Sequence, residues 1–142
     1  GSMLLHPVVH LHLFNSCGEL YLQKRPAWKD IQPGRWDTAV GGHVDWGEEP
    51  LAALRREVRE EVGVTDFEPQ HVLTYLFESE RERELVYVYK TVYDGPVVPS
   101  GELDGGRFWT LREIAEGVGG GIFTPNFEGE IRRVAELPDV GR

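Results

Sequence analysis

Three glutamates crowd the segment Arg56-Glu57-Val58-Arg59-Glu60-Glu61-Val62-Gly63-Val64. Glu57, Glu60 and Glu61 stand at relative positions 0, 3 and 4, so on a helix they are neighbours. Like charges at that spacing repel. A positive partner among them removes the conflict. A hard divalent cation is the natural one, because such ions take carboxylate oxygens as ligands. The plain alternative is a solvated acidic helix face.

The element that must carry these carboxylates is a helix from Pro50 to Val62. Pro50 suits a first turn, and Gly63 supplies the stop. Leu51, Leu54, Val58 and Val62 recur at helical spacing and form the expected core-facing stripe, with the glutamates off it, facing a groove or solvent. Just upstream, Thr38-Ala39-Val40 is short and apolar and ends at Gly41-Gly42. Glycine allows close backbone approach, so a carbonyl there can meet the same ion.

The rest of the chain alternates strand and turn signals. Val8 to Phe14 reads as a strand, the Asn15 to Gly18 stretch as a turn, and Leu20 to Lys24 as the returning strand of a hairpin. Pro26 to Trp36 is a loop with a Pro33-Gly34 turn. Val72 to Phe77 and Leu85 to Tyr93 are two longer strands joined by the charged loop Glu78 to Glu84, and Asp94-Gly95-Pro96 is a turn. Phe108-Trp109 is a short strand before a small helix near Leu111 to Glu116 and the glycine loop Gly117 to Gly121. Thr124 caps a last helix that Pro125 opens and that is predicted to reach Leu137. Strands dominate, with helices to cover a sheet, which is a mixed α/β layer pattern.

The 142 residues suit one domain with a real core. Gly1-Ser2 ahead of Met3 reads as an expression-tag remnant, leaving 3–142 as a single domain. No apolar run reaches the ~18 residues of a membrane span, and no signal segment opens the chain, so a soluble, cytoplasmic protein without a membrane partner is expected. The single cysteine, Cys17, excludes an internal disulfide and a cysteine-based zinc site. A net charge of −9, from 24 acids against 15 bases, argues against binding a nucleic-acid polymer. An acidic protein can still act on phosphates when metal ions supply the positive charge.

The segment resembles the Nudix box: glycine, five residues, glutamate, seven residues, then Arg-Glu-aliphatic-any-Glu-Glu-any-Gly-aliphatic. Gly42, Glu48, Arg56, Glu57, Val58, Glu60, Glu61, Gly63 and Val64 fill every specified position. With its flanks, the resemblance covers roughly residues 4 to 137. It implies an α/β/α sandwich around a mixed sheet, and Mg²⁺- or Mn²⁺-dependent cleavage of a diphosphate linkage in a nucleoside-diphosphate-derived or similar small molecule. By the same resemblance Glu57, Glu60 and Glu61 are the metal-binding and catalytic residues. The Gly41 carbonyl joins them, and Glu57 is taken as the general base. Glu102 is the candidate extra ligand, with Asp104, Glu82 and Glu84 as competitors. Gly42, Glu48, Arg56 and Gly63 are structural, with Arg56 and Glu48 pairing to fix the loop onto the helix. A homodimer is the family's habit.

Leu22-Gln23-Lys24-Arg25, Pro33-Gly34-Arg35-Trp36-Asp37 and Gly41-Gly42-His43-Val44 also resemble a subset related to isopentenyl-diphosphate isomerase. That isomerase needs a catalytic cysteine just before its box-like segment, where this chain has Thr38-Ala39-Val40-Gly41-Gly42. Hydrolysis is therefore favoured over isomerisation, and over a non-catalytic nucleotide sensor, because no box glutamate is missing. Arg25, Lys29 and Arg35 are candidates for phosphate contacts. Trp36, with Trp28, Trp46, Phe123 and Phe127, is a candidate to stack on substrate or simply to pack. His43 either hydrogen-bonds phosphate or holds its loop. His10 and His12 lack a third ligand and read as ordinary strand residues.

Overall fold

The computed structural model describes residues 4–28, 32–101 and 105–141. Its spine is β1 (Leu5–Phe14), covered on both faces along most of its length. Side chains alternate across a strand. Val9, Leu11 and Leu13 enter one hydrophobic core, while Val8 and Phe14 belong to the other. His10 and His12 share the parity of Val8 and so face the second core.

One edge of β1 pairs in parallel with β6 (Arg83–Val92), from Leu5↔Arg83 to Phe14↔Val92. β5 (Gln70–Glu78) lies antiparallel on β6. The other edge of β1 is divided. β2 (Leu20–Lys24) holds it only at Leu13↔Tyr21 and Phe14↔Leu20, beside the hairpin turn. β4 (Val40–His43) takes the stretch from Val8↔His43 to Leu11↔Val40. β3 (Trp36–Thr38) follows the departing β2, from Lys24↔Trp36 to Leu22↔Thr38. The segment from Trp36 to His43 therefore runs down one arm of a fork and back up the other, turning at the buried Ala39. β7 (Gly106–Trp109) seals the outer side of β2.

Helices cover both faces. α1 (Pro50–Val62) packs Ala53, Leu54, Val58 and Val62 onto Val9, Leu11, Leu13 and Val40. α2 (Leu111–Gly117) and α3 (Pro125–Val134) bring Ile114, Phe127, Ile131 and Val134 against Val86, Val88 and Trp109. This is the α/β/α sandwich with a mixed sheet that the sequence predicts. No helix among the described residues is long and apolar enough to cross a membrane.

Three local expectations shift. α3 ends at Val134 rather than Leu137. Pro138 has no N–H for the Val134 carbonyl and disfavours helix at the residue before it. Phe123 and Phe127 follow the packing alternative, as both are buried. Leu51 is 43% exposed, and α1 meets the sheet from Ala53 onward. Ala53, Glu57 and Glu61 recur every fourth residue, so two of the glutamates continue the sheet-facing side of the helix rather than lying off it.

Truncating Leu54 to alanine is expected to destabilise the fold by about 3 kcal/mol, because the residue is wholly buried and leaves a cavity. The same change at Leu51 should stay within about 0.5 kcal/mol. Denaturant unfolding of the two variants compares them directly, and equal losses would contradict this packing.

Candidate active site

The fork delivers Gly41 and Gly42 to the surface of α1. A Cβ built on Gly42 would overlap the Glu57 carboxylate and displace it, so glycine lets the strand and this carboxylate approach that closely. Glu61, one turn on, accepts from Gln23 Nε2 at 3.3 Å and from the backbone of Gly41. Burial, and then the neighbouring Glu57, push the Glu61 carboxyl up to about 9. Glu61 thus meets Glu57 where burial and a like charge both disfavour its ionised form. That is a donor set short of positive charge, and a hard divalent cation fits it by chemistry.

Arg56 organises the outer side. Its Nε and Nη2 meet Glu48 Oε2 and Oε1 at 2.9 and 3.0 Å, a bidentate pair. Nη1 donates to Glu57 Oε1 at 2.7 Å, and Nη2 donates to the His43 carbonyl at 2.9 Å. One guanidinium thus ties the loop before α1 to the helix and takes up one oxygen of Glu57. The hydrogen bond from Arg56, helped by the Asp45 backbone N–H, pulls the Glu48 carboxyl down to about 2. Glu60 faces outward with its side chain 55% exposed, 3.6 Å from Arg56 Nη1. Among the described residues, no three acidic, histidine or cysteine side chains already converge on one ion position. The carboxylates that meet are Glu57 and Glu61. Gly63, in the left-handed region at φ 70°, caps α1 by donating to the Arg59 carbonyl.

A cleft of about 350 Å³ opens between the arms of the fork. Gln23, Arg25, Asp37 and Thr38 line one arm, and His10, Gly41, Gly42 and His43 the other. Glu82 and Glu84 reach in from the β5–β6 hairpin, and Thr124 and Asn126 from the start of α3. Arg25 pairs with Asp37 at 3.6 Å. The His43 carbonyl anchors Arg56, which holds the loop, and the residue lines the cleft. Trp36 is not on the cleft wall. Its ring packs edge-on to Trp109 at 5.2 Å and beneath Arg107, because the second core claims that side of β3. Trp28 and Trp46 are exposed. Lys29, Glu102 and Asp104 lie outside the described residues.

Sequence reasoning missed Gln23 and a second buried carboxylate, Glu130 of α3, which is 1% exposed. His10 Nδ1 meets Glu130 Oε2 at 2.7 Å, His12 Nε2 meets Oε1 at 2.8 Å, and the Tyr75 hydroxyl donates to Oε2. The two histidines are therefore not ordinary strand residues. They converge on one acid because they share a face of β1. Burial works against the charged form of His10, but Glu130 outweighs it and holds the imidazole up at about 9. A signal was present: Glu130 falls among Phe127, Ile131 and Val134 on the apolar face of α3.

The depressed carboxyl of Glu48 makes a pH-dependent contribution. A group whose value falls from 4.5 to about 2 on folding stabilises above its unfolded value and loses that effect as pH drops. The stability gap between wild type and Glu48→Gln should thus be full at pH 6 and shrink between about pH 4.5 and 2.5. Urea midpoints across that range measure it, and a constant gap would remove Glu48 from this role.

The NUDIX domain matches residues 4–127 of the chain. An uncharacterized Nudix hydrolase of Pseudomonas aeruginosa is 36% identical over 97 residues, covering 68% of this chain and 57% of that protein. An isopentenyl-diphosphate Delta-isomerase of Serratia proteamaculans is 31% identical over 118 residues, covering 80% of this chain and 64% of that protein. The chain thus spans less than two thirds of the length of these curated relatives. The crystal structure of a MutT protein from Methanosarcina mazei has a TM-score of 0.79 over 94% of both chains at 24% identity, a likeness of fold. With that domain matched across most of its length and the carboxylate-bearing helix in place, this chain belongs to the NUDIX domain family.

Proposed function

We propose that the chain is a divalent-cation-dependent hydrolase that cleaves a diphosphate linkage in a nucleoside-diphosphate-derived or similar small molecule. The observation that carries this reading is the Glu57–Glu61 pair, forced together against Gly41 and Gly42 beside the cleft. The kinship with Nudix hydrolases supports it.

Cleaving a diphosphate requires phosphate charge to be neutralised, water to be activated and the departing oxygen to be stabilised. Mg²⁺ or Mn²⁺ supplies that positive charge when bound, with Glu57, Glu61, the Gly41 carbonyl and a re-oriented Glu60 to hold it. The chain's own groups supply the rest. Arg56 holds one oxygen of Glu57 and leaves the other to accept a proton, the role of a general base. Gln23 orients Glu61. Arg25 and His43, on opposite walls, are positioned to donate to phosphate oxygens. Glu82 and Glu84 supply further carboxylates at the same opening. The desolvation of Glu84, and then the charge of Glu82, raise its carboxyl above the ordinary range, as expected where a cation is wanted.

The similarity to the isomerase favours a second reading, isomerisation of a prenyl diphosphate. Cys17 does not serve it. It sits exposed in the turn that closes the fork, at the end away from the cleft. A proton-exchange assay on isopentenyl diphosphate in D₂O separates the two, with no exchange expected.

A panel of nucleoside diphosphate derivatives with Mg²⁺ or Mn²⁺ should reveal at least one cleaved substrate. Glu61→Gln should lower kcat on it by about 100-fold or more, since a bound metal contributes several kcal/mol. The same substitution should abolish the rise in Tm that the cation gives the wild type. Full turnover by Glu61→Gln would sink the metal assignment.

A further inference from the structure

Glu130 raises a question that the α1 carboxylates do not answer. A buried carboxylate is retained only with charge-matched, hydrogen-bonded partners. Among the groups bonded to Glu130 are His10, His12 and Tyr75, from two different strands. Neither His12 nor Tyr75 lines the cleft. His12 is fully buried and stacks on Phe127 with ring centroids 5.9 Å apart, and Tyr75 is held in turn by Asn126 Nδ2 at 3.3 Å.

His10 differs. Its side chain keeps 13% exposure and lines the cleft. Glu130 takes Nδ1, which leaves the opposite edge of the ring over the strand that carries the site. A Cβ built on Gly41 would stand 3.3 Å from His10 Cδ2 and 3.6 Å from Nε2. Gly41 is also the residue whose backbone bonds Glu61. The Nε2 edge of His10 therefore reaches the cleft floor over Gly41, whose backbone bonds Glu61 on the other face of the strand. A carboxylate bonded to one imidazole nitrogen fixes the ring's orientation and the role of the other nitrogen. A residue needed only to fill the second core would be served by an aliphatic side chain, as Val8 is on the same face.

We propose that His10 is a substrate-contacting residue of this cleft, its Nε2–H donating to an anionic oxygen of the bound diphosphate, and that Glu130 is the positioning residue that aims it. This rests on the diphosphate reading above and extends it to the opposite face of β1. The cleft then holds substrate against an imidazole backed by α3, with the Gly41–Gly42 backbone between it and the carboxylate pair of α1. His12 and Tyr75 keep Glu130 in place and do not touch substrate.

The probe is methylenediphosphonate, a diphosphate analogue that cannot be hydrolysed, with Mg²⁺. In long-range ¹H–¹⁵N spectra of the wild-type protein, the His10 Nε2 resonance should move on adding the probe while those of His12 hold still. This reading needs no variant to fold. By calorimetry, His10→Ala should bind the probe about tenfold more weakly or worse, the loss of one charge-assisted hydrogen bond. His10→Gln, which returns an N–H donor near the Nε2 position, should recover part of that loss. Glu130→Gln should raise KM for a cleaved substrate more than it lowers kcat. Probe binding that leaves His10 Nε2 unmoved, or that is equal in wild type and His10→Ala, overturns the role of His10 alone. A wild-type protein that neither binds the probe nor cleaves any diphosphate overturns both this inference and the reading it rests on.

Discussion

The hydrogen-bonding edge of β1 is the constraint on which the rest depends. Backbone N–H and C=O groups in an interior strand must be paired. β6 satisfies one edge in full, but the other is shared between β2 near the hairpin and β4 farther along. No straight strand can serve both partners of the fork, so the chain folds back at Ala39. That reversal opens the cleft and delivers two glycines to the one place where α1 can press carboxylates against backbone.

The same strand separates two charged clusters that its alternation keeps on opposite faces. On the α1 side, Glu57 and Glu61 are compressed, and Arg56, Gln23 and Gly41 offset only part of their repulsion. On the α3 side, Glu130 is matched by two histidines and a tyrosine, and His10 together with His12 draws its carboxyl well below the ordinary range against the opposing effect of burial. One cluster is short of positive charge and the other holds its own. The cleft is lined by His10 of one cluster and by Gln23 and Gly41, which bond Glu61 of the other.

Features with local causes could be read from the chain directly. The α1 boundaries follow from Pro50 and Gly63, the first hairpin from Asn15 to Gly18, and the start of α3 from Thr124 and Pro125. The Glu48–Arg56 pair joins residues only eight apart, across a single helix start. Long-range packing escaped. Periodicity placed Leu51 in the core, yet the sheet does not reach the first turn of α1. It placed Glu57 off the buried side, yet Gly42 on β4 makes room there. Trp36 looked available to a ligand until Trp109, 73 residues on, claimed its ring.

By itself the sequence determined the carboxylate helix, its caps, the glycines that precede it and the layered α/β architecture, because helix spacing and turn chemistry act over a few residues. Only the tertiary structure decided which glutamates meet, where the cleft opens, and that His10 and His12 share Glu130 across 118 to 120 residues of chain. Those outcomes depend on strand pairing and on which faces are pressed together, and neither is encoded in the spacing of any one segment.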